Sequence, residues 1–310
     1  MDVLVSEVGP RDGLQSIKRA MPTAVKHQWI RALADAGLKE IEVASFVPPK
    51  LLPQMADAAE VVREALKIPG LTVLALVPNQ RGFQDAVTAG APKITVTVSA
   101  SEAHSMNNIR MTCAQAVESL ERMVKFRDGL PANHRPHIEV GVSTAFGCTL
   151  QGDVSEDFAI EMAVKCARAG ADSVGLSDSV GYGNPAQVKR MFTRLKRELG
   201  DKAGGAHLHN TRGQGLANVV AALDAGVTTF DASQGGIGGC PYAPGATGNI
   251  VTEDLVFLLE SMGLDTGIDM EKLLAARKFL AEGLPGEPVY GFVPDAGLPK
   301  NFRRAAEAQA

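Results

Sequence analysis

The chain has 310 residues, a formal net charge of −4, 45% hydrophobic and 21% charged residues, so it can bury one large core and offers no basic field for nucleic acid. It contains no long uninterrupted apolar run and no charged-apolar-small leader pattern, so no membrane partner is expected and the cytoplasm is the expected location. Four widely spaced cysteines, Cys113, Cys148, Cys166 and Cys240, form no CxxC pair and read as reduced, buried thiols, not as a disulfide scaffold or a zinc knuckle.

The chain opens on a strand-like run, Asp2 to Val8, followed at once by Gly9-Pro10-Arg11-Asp12-Gly13-Leu14-Gln15. A small unit then recurs. Ala36-Gly37 precedes Ile41 to Ser45, Ala89-Gly90 precedes Ile94 to Val98, Ala169-Gly170 precedes Ser173 to Ser177, and Ala225-Gly226 precedes Val227 to Asp231. In each, a helix is expected to end at glycine and a β-rich strand to follow. Three further strand candidates are Leu71 to Val77, His137 to Ser143, and Ala206 to His209 after a Gly204-Gly205 break.

Eight strands with room for a helix between each predict an α/β fold of the TIM (β/α)8 type. The near-continuous apolar or β-branched character of many strands suits a parallel sheet covered on both faces. A doubly wound open sheet is the alternative, but no GxGxxG turn follows the first strand. Helices are expected from Thr252 to Gly263 and from Met270 to Gly283. The final stretch, Pro288 to Ala310, is rich in proline and charge and suits either packing on the barrel or assembly of a homo-oligomer. The expected organisation is a single catalytic domain over 1–310, with the barrel at about 1–265 and a C-terminal helical extension at about 266–310.

Active sites of this fold gather at the C-terminal ends of the strands. There, His207-Leu208-His209 places two imidazoles at i and i+2 of an extended segment, on the same face, as a bidentate metal grip. Hydrogen-bonded, partly buried imidazoles are the competing reading. Asp12 after strand one and Asn249 beyond the glycine-rich loop Gln234 to Cys240 add oxygen donors. A mixed oxygen and nitrogen set without thiolate suits Mg²⁺ or Mn²⁺ better than Zn²⁺. By itself, Asp12 also fits an ordinary turn residue before glycine.

Several long motifs in one order carry a resemblance over nearly the whole chain. Glu7 to Gln15, Ala44-Ser45-Phe46-Val47-Pro48-Pro49-Lys50 with Pro53-Gln54-Met55, the His-x-His strand, and Gly235 to Asn249 together resemble the 3-hydroxy-3-methylglutaryl-CoA lyase family of metal-dependent TIM-barrel lyases and condensing enzymes. The resemblance implies that Asp12, His207, His209 and Asn249 hold the metal and that Arg11 polarises the substrate carbonyl. It also implies that Cys240 lies on a mobile loop over the site. The implied reaction is a retro-Claisen cleavage releasing acetyl-CoA and acetoacetate, with Arg11 stabilising the enolate and the Cys240 thiol protonating it. Asp178 and Glu42 are candidates to orient Arg11 or move protons, each set against a buried structural ion pair.

Two departures are visible. Asn210-Thr211-Arg212-Gly213-Gln214 stands where mitochondrial-type lyases have Asp-Thr-Tyr-Gly-Gln, and Ser16-Ile17-Lys18 where they have Asn-Glu-Lys. Citramalyl-CoA, cleaved to acetyl-CoA and pyruvate, is therefore the alternative substrate. An isopropylmalate-type condensing enzyme usually carries a further C-terminal domain. A non-catalytic acyl-CoA or metal-binding relative would not need all four ligands, Arg11 and Cys240 together. An acyl-CoA substrate calls for cations near the mouth, but sequence does not assign Lys50, Arg110 or Lys300 to that task.

Overall fold

The computed structural model describes residues 1–238 and 248–308. Eight parallel strands run in sequence order around a closed barrel: β1 (Leu4–Glu7), β2 (Glu40–Ser45), β3 (Thr72–Val77), β4 (Lys93–Ser99), β5 (His137–Ser143), β6 (Ser173–Asp178), β7 (Ala203–Leu208) and β8 (Thr229–Ala232). Closure comes from β1 lying parallel to β8, with Leu4 opposite Thr229 and Glu7 opposite Ala232. This is the TIM barrel expected from the repeat. The linking helices are α1 (Thr23–Asp35), α2 (Ala58–Ala65), α3 (Gln80–Ala89), the pair α4 (Glu102–Ile109) and α5 (Cys113–Asp128), then α6 (Glu156–Arg168), α7 (Pro185–Leu199) and α8 (Gly215–Asp224).

The repeat has a backbone cause. Gly37, Gly90, Gly170 and Gly226 all have positive φ, from 82° to 110°, so each helix is closed by a left-handed residue that only glycine adopts without strain. Helix starts are equally local in origin. Asn79, Ser101, Ser155 and Asn184 accept from the amide three residues on, and Thr112 with Gln115 forms a capping box.

Strand seven differs from the expectation, because Gly204 and Gly205 lie inside β7 and do not precede it. A Cβ on Gly205 would stand 2.8 Å from the carbonyl oxygen of Thr229 in β8, and one on Gly204 2.9 Å from the carbonyl carbon of Val174 in β6. Here glycine permits close backbone approach between neighbouring strands, and does not mark a break. His209 sits one residue beyond β7, in an isolated antiparallel bridge with Asn249.

After β8 come α9 (Thr252–Ser261), α10 (Met270–Ala276), α11 (Lys278–Gly283), α12 (Phe292–Ala296) and α13 (Ala305–Ala308). The single helix expected from Met270 to Gly283 is divided at Arg277, whose Nη1 donates to Glu253 Oε1 (2.6 Å) and to the carbonyl of Tyr290 (3.1 Å). Helices α10 and α11 pack on α1, and α12 packs on α9. None of the described helices is long and apolar enough to cross a membrane.

Candidate active site

The first βα loop is a π-helical turn, Gly9–Gly13, and not the ordinary turn of the competing reading of Asp12. The amides of Arg11, Asp12 and Gly13 all point at the carbonyl of Val8, at 3.1, 2.7 and 3.3 Å. Single π turns of this kind recur at functional sites. Here the turn aims Arg11 and Asp12 at the barrel mouth. Arg11 is 7% exposed; its Nε donates to Glu42 Oε2 and its Nη1 to Asp12 Oδ1. Its Nη2 edge makes no hydrogen bond among the described residues.

His207 and His209 face each other with Nε2 atoms 3.1 Å apart. His207 Nδ1 lies 3.0 Å from Asp231 Oδ2, which fixes the ring and leaves Nε2 as the inward atom. His209 Nε2 is 4.0 Å from Asp12 Oδ2. One ligand atom from each of Asp12, His207 and His209 falls within 4.8 Å of the others, a grouping that could hold a metal ion. Asn249, fully buried, donates Nδ2 to Asp12 Oδ2 (2.7 Å) and towards the carbonyl of Ile237 (3.4 Å). Both partners are acceptors, so its Oδ1 is the free end, and that buried oxygen has no partner.

Charge follows this geometry. Burial pushes the Asp12 carboxyl up, but Arg11 and the two histidines outweigh it and hold it far below the usual carboxylate range. Burial, with the neighbouring His207, lowers His209 to about 4. Burial also acts to lower His207, but the hydrogen bond and charge of Asp231 raise it overall. A neutral His209 and an ionised Asp12 are the protonation states a cation needs. The orphaned Asn249 Oδ1 and the two converging Nε2 atoms fit a divalent ion with mixed oxygen and nitrogen ligands.

Glu42, one of the sequence candidates, is buried and paired with Arg11, and burial raises its carboxyl despite that partner. Asp178, the other, does not touch Arg11. Its oxygens accept the amides of Tyr182 (2.9 Å) and Gly183 (3.0 Å), shaping the loop after β6, while its carbonyl receives the His209 amide at 3.3 Å. Cys240 lies outside the described residues. Lys50, Arg110 and Lys300 are exposed.

In the departure that follows β7, Asn210 and Arg212 act locally. The Arg212 guanidinium stacks 4.5 Å above the Tyr182 ring and donates to the carbonyls of Val180 (3.0 Å) and Gly181 (3.2 Å). Asn210 Oδ1 accepts the amide of Gly215 at the start of α8 (2.9 Å). Sequence reasoning missed Asp231 and Glu7, although each is a carboxylate near the mouth end of a strand, the position that reads as functional in this fold.

An eight-stranded parallel barrel whose mouth joins an Arg-Asp turn to a His-x-His strand defines the class: a TIM-barrel protein with a candidate metal centre at its mouth. The HMGL-like family model matches residues 2–280, and the chain belongs to that family. The chain is 42% identical over 282 residues to the mitochondrial hydroxymethylglutaryl-CoA lyase of Gallus gallus, covering 91% of this chain and 93% of that one. It is 39% identical to the hydroxymethylglutaryl-CoA lyase YngG of Bacillus subtilis, covering 93% and 94%. Among solved structures, an HMG-CoA lyase from Acinetobacter baumannii in complex with coenzyme A and 3-methylmalate superposes with a TM-score of 0.90 at 36% identity, covering 97% of each chain.

Proposed function

We propose that this lyase cleaves 3-hydroxy-3-methylglutaryl-CoA to acetyl-CoA and acetoacetate with the help of Mg²⁺ or Mn²⁺. The carrying observation is the meeting of Asp12, His207 and His209 donor atoms within 4.8 Å at the barrel mouth, beside the Arg11 guanidinium. In this reading Asp12, His207, His209 and Asn249 Oδ1 hold the cation. When bound, it supplies the Lewis acidity that lowers the pKa of the substrate C3 hydroxyl and fixes the substrate in one pose.

The chain's own groups do the rest. The C3 hydroxyl passes its proton to a base of the site, for which Glu42 Oε1 is the candidate, the C3 oxygen's electron pair closes the acetoacetate ketone, and as the C2–C3 bond breaks its pair moves into the thioester as an enolate. Arg11, clamped on two edges by Glu42 and Asp12, presents its remaining edge to the enolate oxygen. Glu42 keeps Arg11 oriented, and its partnerless Oε1 can hold a proton. Asp178 contributes by shaping the loop Gly181–Gly183 with its carboxylate and by accepting the His209 amide with its carbonyl. Cys240 is the acid that returns a proton to C2, since an ordinary thiol is mostly protonated at neutral pH.

An acyl-CoA substrate is supported by the coenzyme A complex of the Acinetobacter relative. The cytoplasm belongs to the same reading, supported by three buried free thiols, Cys113, Cys148 and Cys166. Arg212 and Asn210, the residues that raised citramalyl-CoA as an alternative, bind local backbone, which favours hydroxymethylglutaryl-CoA. Product analysis with metal-stripped enzyme, offered each thioester with and without Mg²⁺ or Mn²⁺, tests the assignment. Metal-dependent acetoacetate supports it; pyruvate in its place moves the substrate to citramalyl-CoA.

A further inference from the structure

We propose that Glu7 is a positioning residue for the metal centre, its buried carboxylate fixing the turn that carries Asp12 against the segment that carries Asn249. The inference rests on the ligand set proposed above.

Glu7 is the last residue of β1 and is fully buried. Its Oε1 accepts the Gly9 amide at 2.8 Å and the Gln234 amide at 2.9 Å, and its Oε2 accepts the Thr252 hydroxyl at 2.7 Å. These three donors belong to three different segments. Gly9 opens the π turn, Gln234 begins the glycine-rich loop after β8, and Thr252 starts α9 after that loop has returned. Asp12 follows Gly9 by three residues, and Asn249 precedes Thr252 by three. One side chain thus sets the separation of two proposed ligands that are 237 residues apart in sequence and meet at 2.7 Å.

The fit leaves little slack. A Cβ on Gly9 would stand 2.5 Å from Glu7 Oε1, so the turn is drawn against the carboxylate. Return of the loop is fixed by the same group of residues: the Ser233 amide donates to the carbonyl of Ile250 (3.0 Å) and the Thr252 amide to that of Ser233 (3.1 Å). Gln234 extends the frame outward, accepting from Trp29 Nε1 (2.7 Å) and donating to the carbonyl of Leu273 (2.7 Å). A buried carboxyl group held by three neutral donors is costly compared with an apolar side chain at a strand end. Few other side chains could accept from two amides and a hydroxyl at once.

Glutamine keeps an acceptor for both amides and an amide group for the Thr252 hydroxyl, whereas leucine keeps only the volume. Manganese binding to the metal-free protein, read from the EPR signal of free Mn²⁺, separates them. Glu7→Leu is expected to weaken binding about 10- to 100-fold, the usual effect of losing a partner that orients ligands, and Glu7→Gln to stay close to wild type. The control is Glu260→Leu. Glu260 is also buried and also holds three neutral donors, the Thr266 amide (2.8 Å), the Thr266 hydroxyl (2.5 Å) and the Ala305 amide (2.6 Å), but none belongs to the site. Its variant should keep wild-type Mn²⁺ affinity.

If Glu7→Leu does not fold, Thr252→Val removes one of the three contacts and should weaken Mn²⁺ about 2- to 10-fold. Wild-type affinity in a folded Glu7→Leu, wild-type affinity in Thr252→Val where that variant is the one measured, or an equal loss in Glu260→Leu, overturns the positioning role. Failure of the ligand set looks different: Asp12→Ala and Asn249→Ala would then bind Mn²⁺ as well as wild type does, and the inference falls with it.

Discussion

Two charge clusters, each part buried and part half-buried, occupy opposite ends of the same barrel. At the N-terminal end, Lys93, the first residue of β4, bridges Glu40 (3.0 and 3.1 Å) and Glu139 (2.9 Å) across β2, β4 and β5. At the mouth, Arg11 bridges Glu42 and Asp12. The lower cluster is closed: burial would lower the Lys93 ammonium, but its two carboxylates raise it well above the ordinary lysine range. Around the upper cluster, Glu42 Oε1 and Asn249 Oδ1 are buried without partners. Comparable burial therefore serves two ends. A charge network that satisfies itself is structural, while one that leaves polar atoms aimed inward is built for something else to complete.

The comparison predicts its own largest effect. Chelation should abolish turnover, Mg²⁺ or Mn²⁺ should restore it, and saturating metal at about 100 times Kd should add roughly 2.7 kcal/mol of stability, read as a rise in Tm. Full activity after exhaustive chelation would remove the distinction between the two ends. Next comes Arg11→Lys, which keeps the charge but loses the planar fork between Glu42 and Asp12. Its kcat should fall about 100- to 1000-fold, the worth of a lost oxyanion donor, and a kcat within a few-fold of wild type would take Arg11 out of the enolate's surroundings.

Gly238 sharpens the contrast. It has φ of +106°, and a Cβ there would stand 2.6 Å from Asn249 Nδ2. Gly238→Ala should push Asn249 off Asp12 and weaken metal binding about 10- to 100-fold, measured by Mn²⁺ titration; unchanged affinity would show that Asn249 need not be held there. Lys93→Met makes the mirror-image test at the lower end. It strands the buried Glu40 and leaves the partly exposed Glu139 unpaired, and should cost about 3 kcal/mol of stability in urea unfolding, with kcat unchanged at a temperature where the variant is folded. A drop in kcat would mean that the ends are coupled.

How much of this could be read in the sequence depends on whether its cause is local. The eight strands and the glycines that close α3 and the loops before β2, β6 and β8 were legible because apolar periodicity and positive φ leave direct marks on composition. The meeting of Asp12, His207 and His209 was legible from donor chemistry combined with their place at strand ends, and Asn249 entered from its place at the far end of the glycine-rich loop. The strand role of Gly204 and Gly205 was not, since close approach to β6 and β8 depends on neighbours far away in the chain. Asp178 shows the same limit: a carboxylate at a strand end can serve backbone amides as readily as a catalytic arginine, and only the fold decides which. Asp231 and Glu7 escaped notice because their partners, His207 and the Gly9, Gln234 and Thr252 donors, come together only on closure of the barrel.

The smallest predicted effect probes Glu7 through pH. Burial raises its carboxyl from an ordinary 4.5 to about 8, outweighing the hydrogen bonds from Thr252, Gln234 and Gly9 that favour the charged form. Between those two values the folded protein binds a proton there that the unfolded chain has released, so the contribution of Glu7 to stability is complete below about pH 4.5 and declines as pH rises through 8. Glutamine does not titrate. The difference in unfolding free energy between wild type and Glu7→Gln, measured on metal-free protein across that window, should therefore shift steadily in favour of the variant as pH rises. A flat difference would mean that the three donors keep the carboxylate ionised throughout, and that charge as well as shape joins the Asp12 turn to the Asn249 segment.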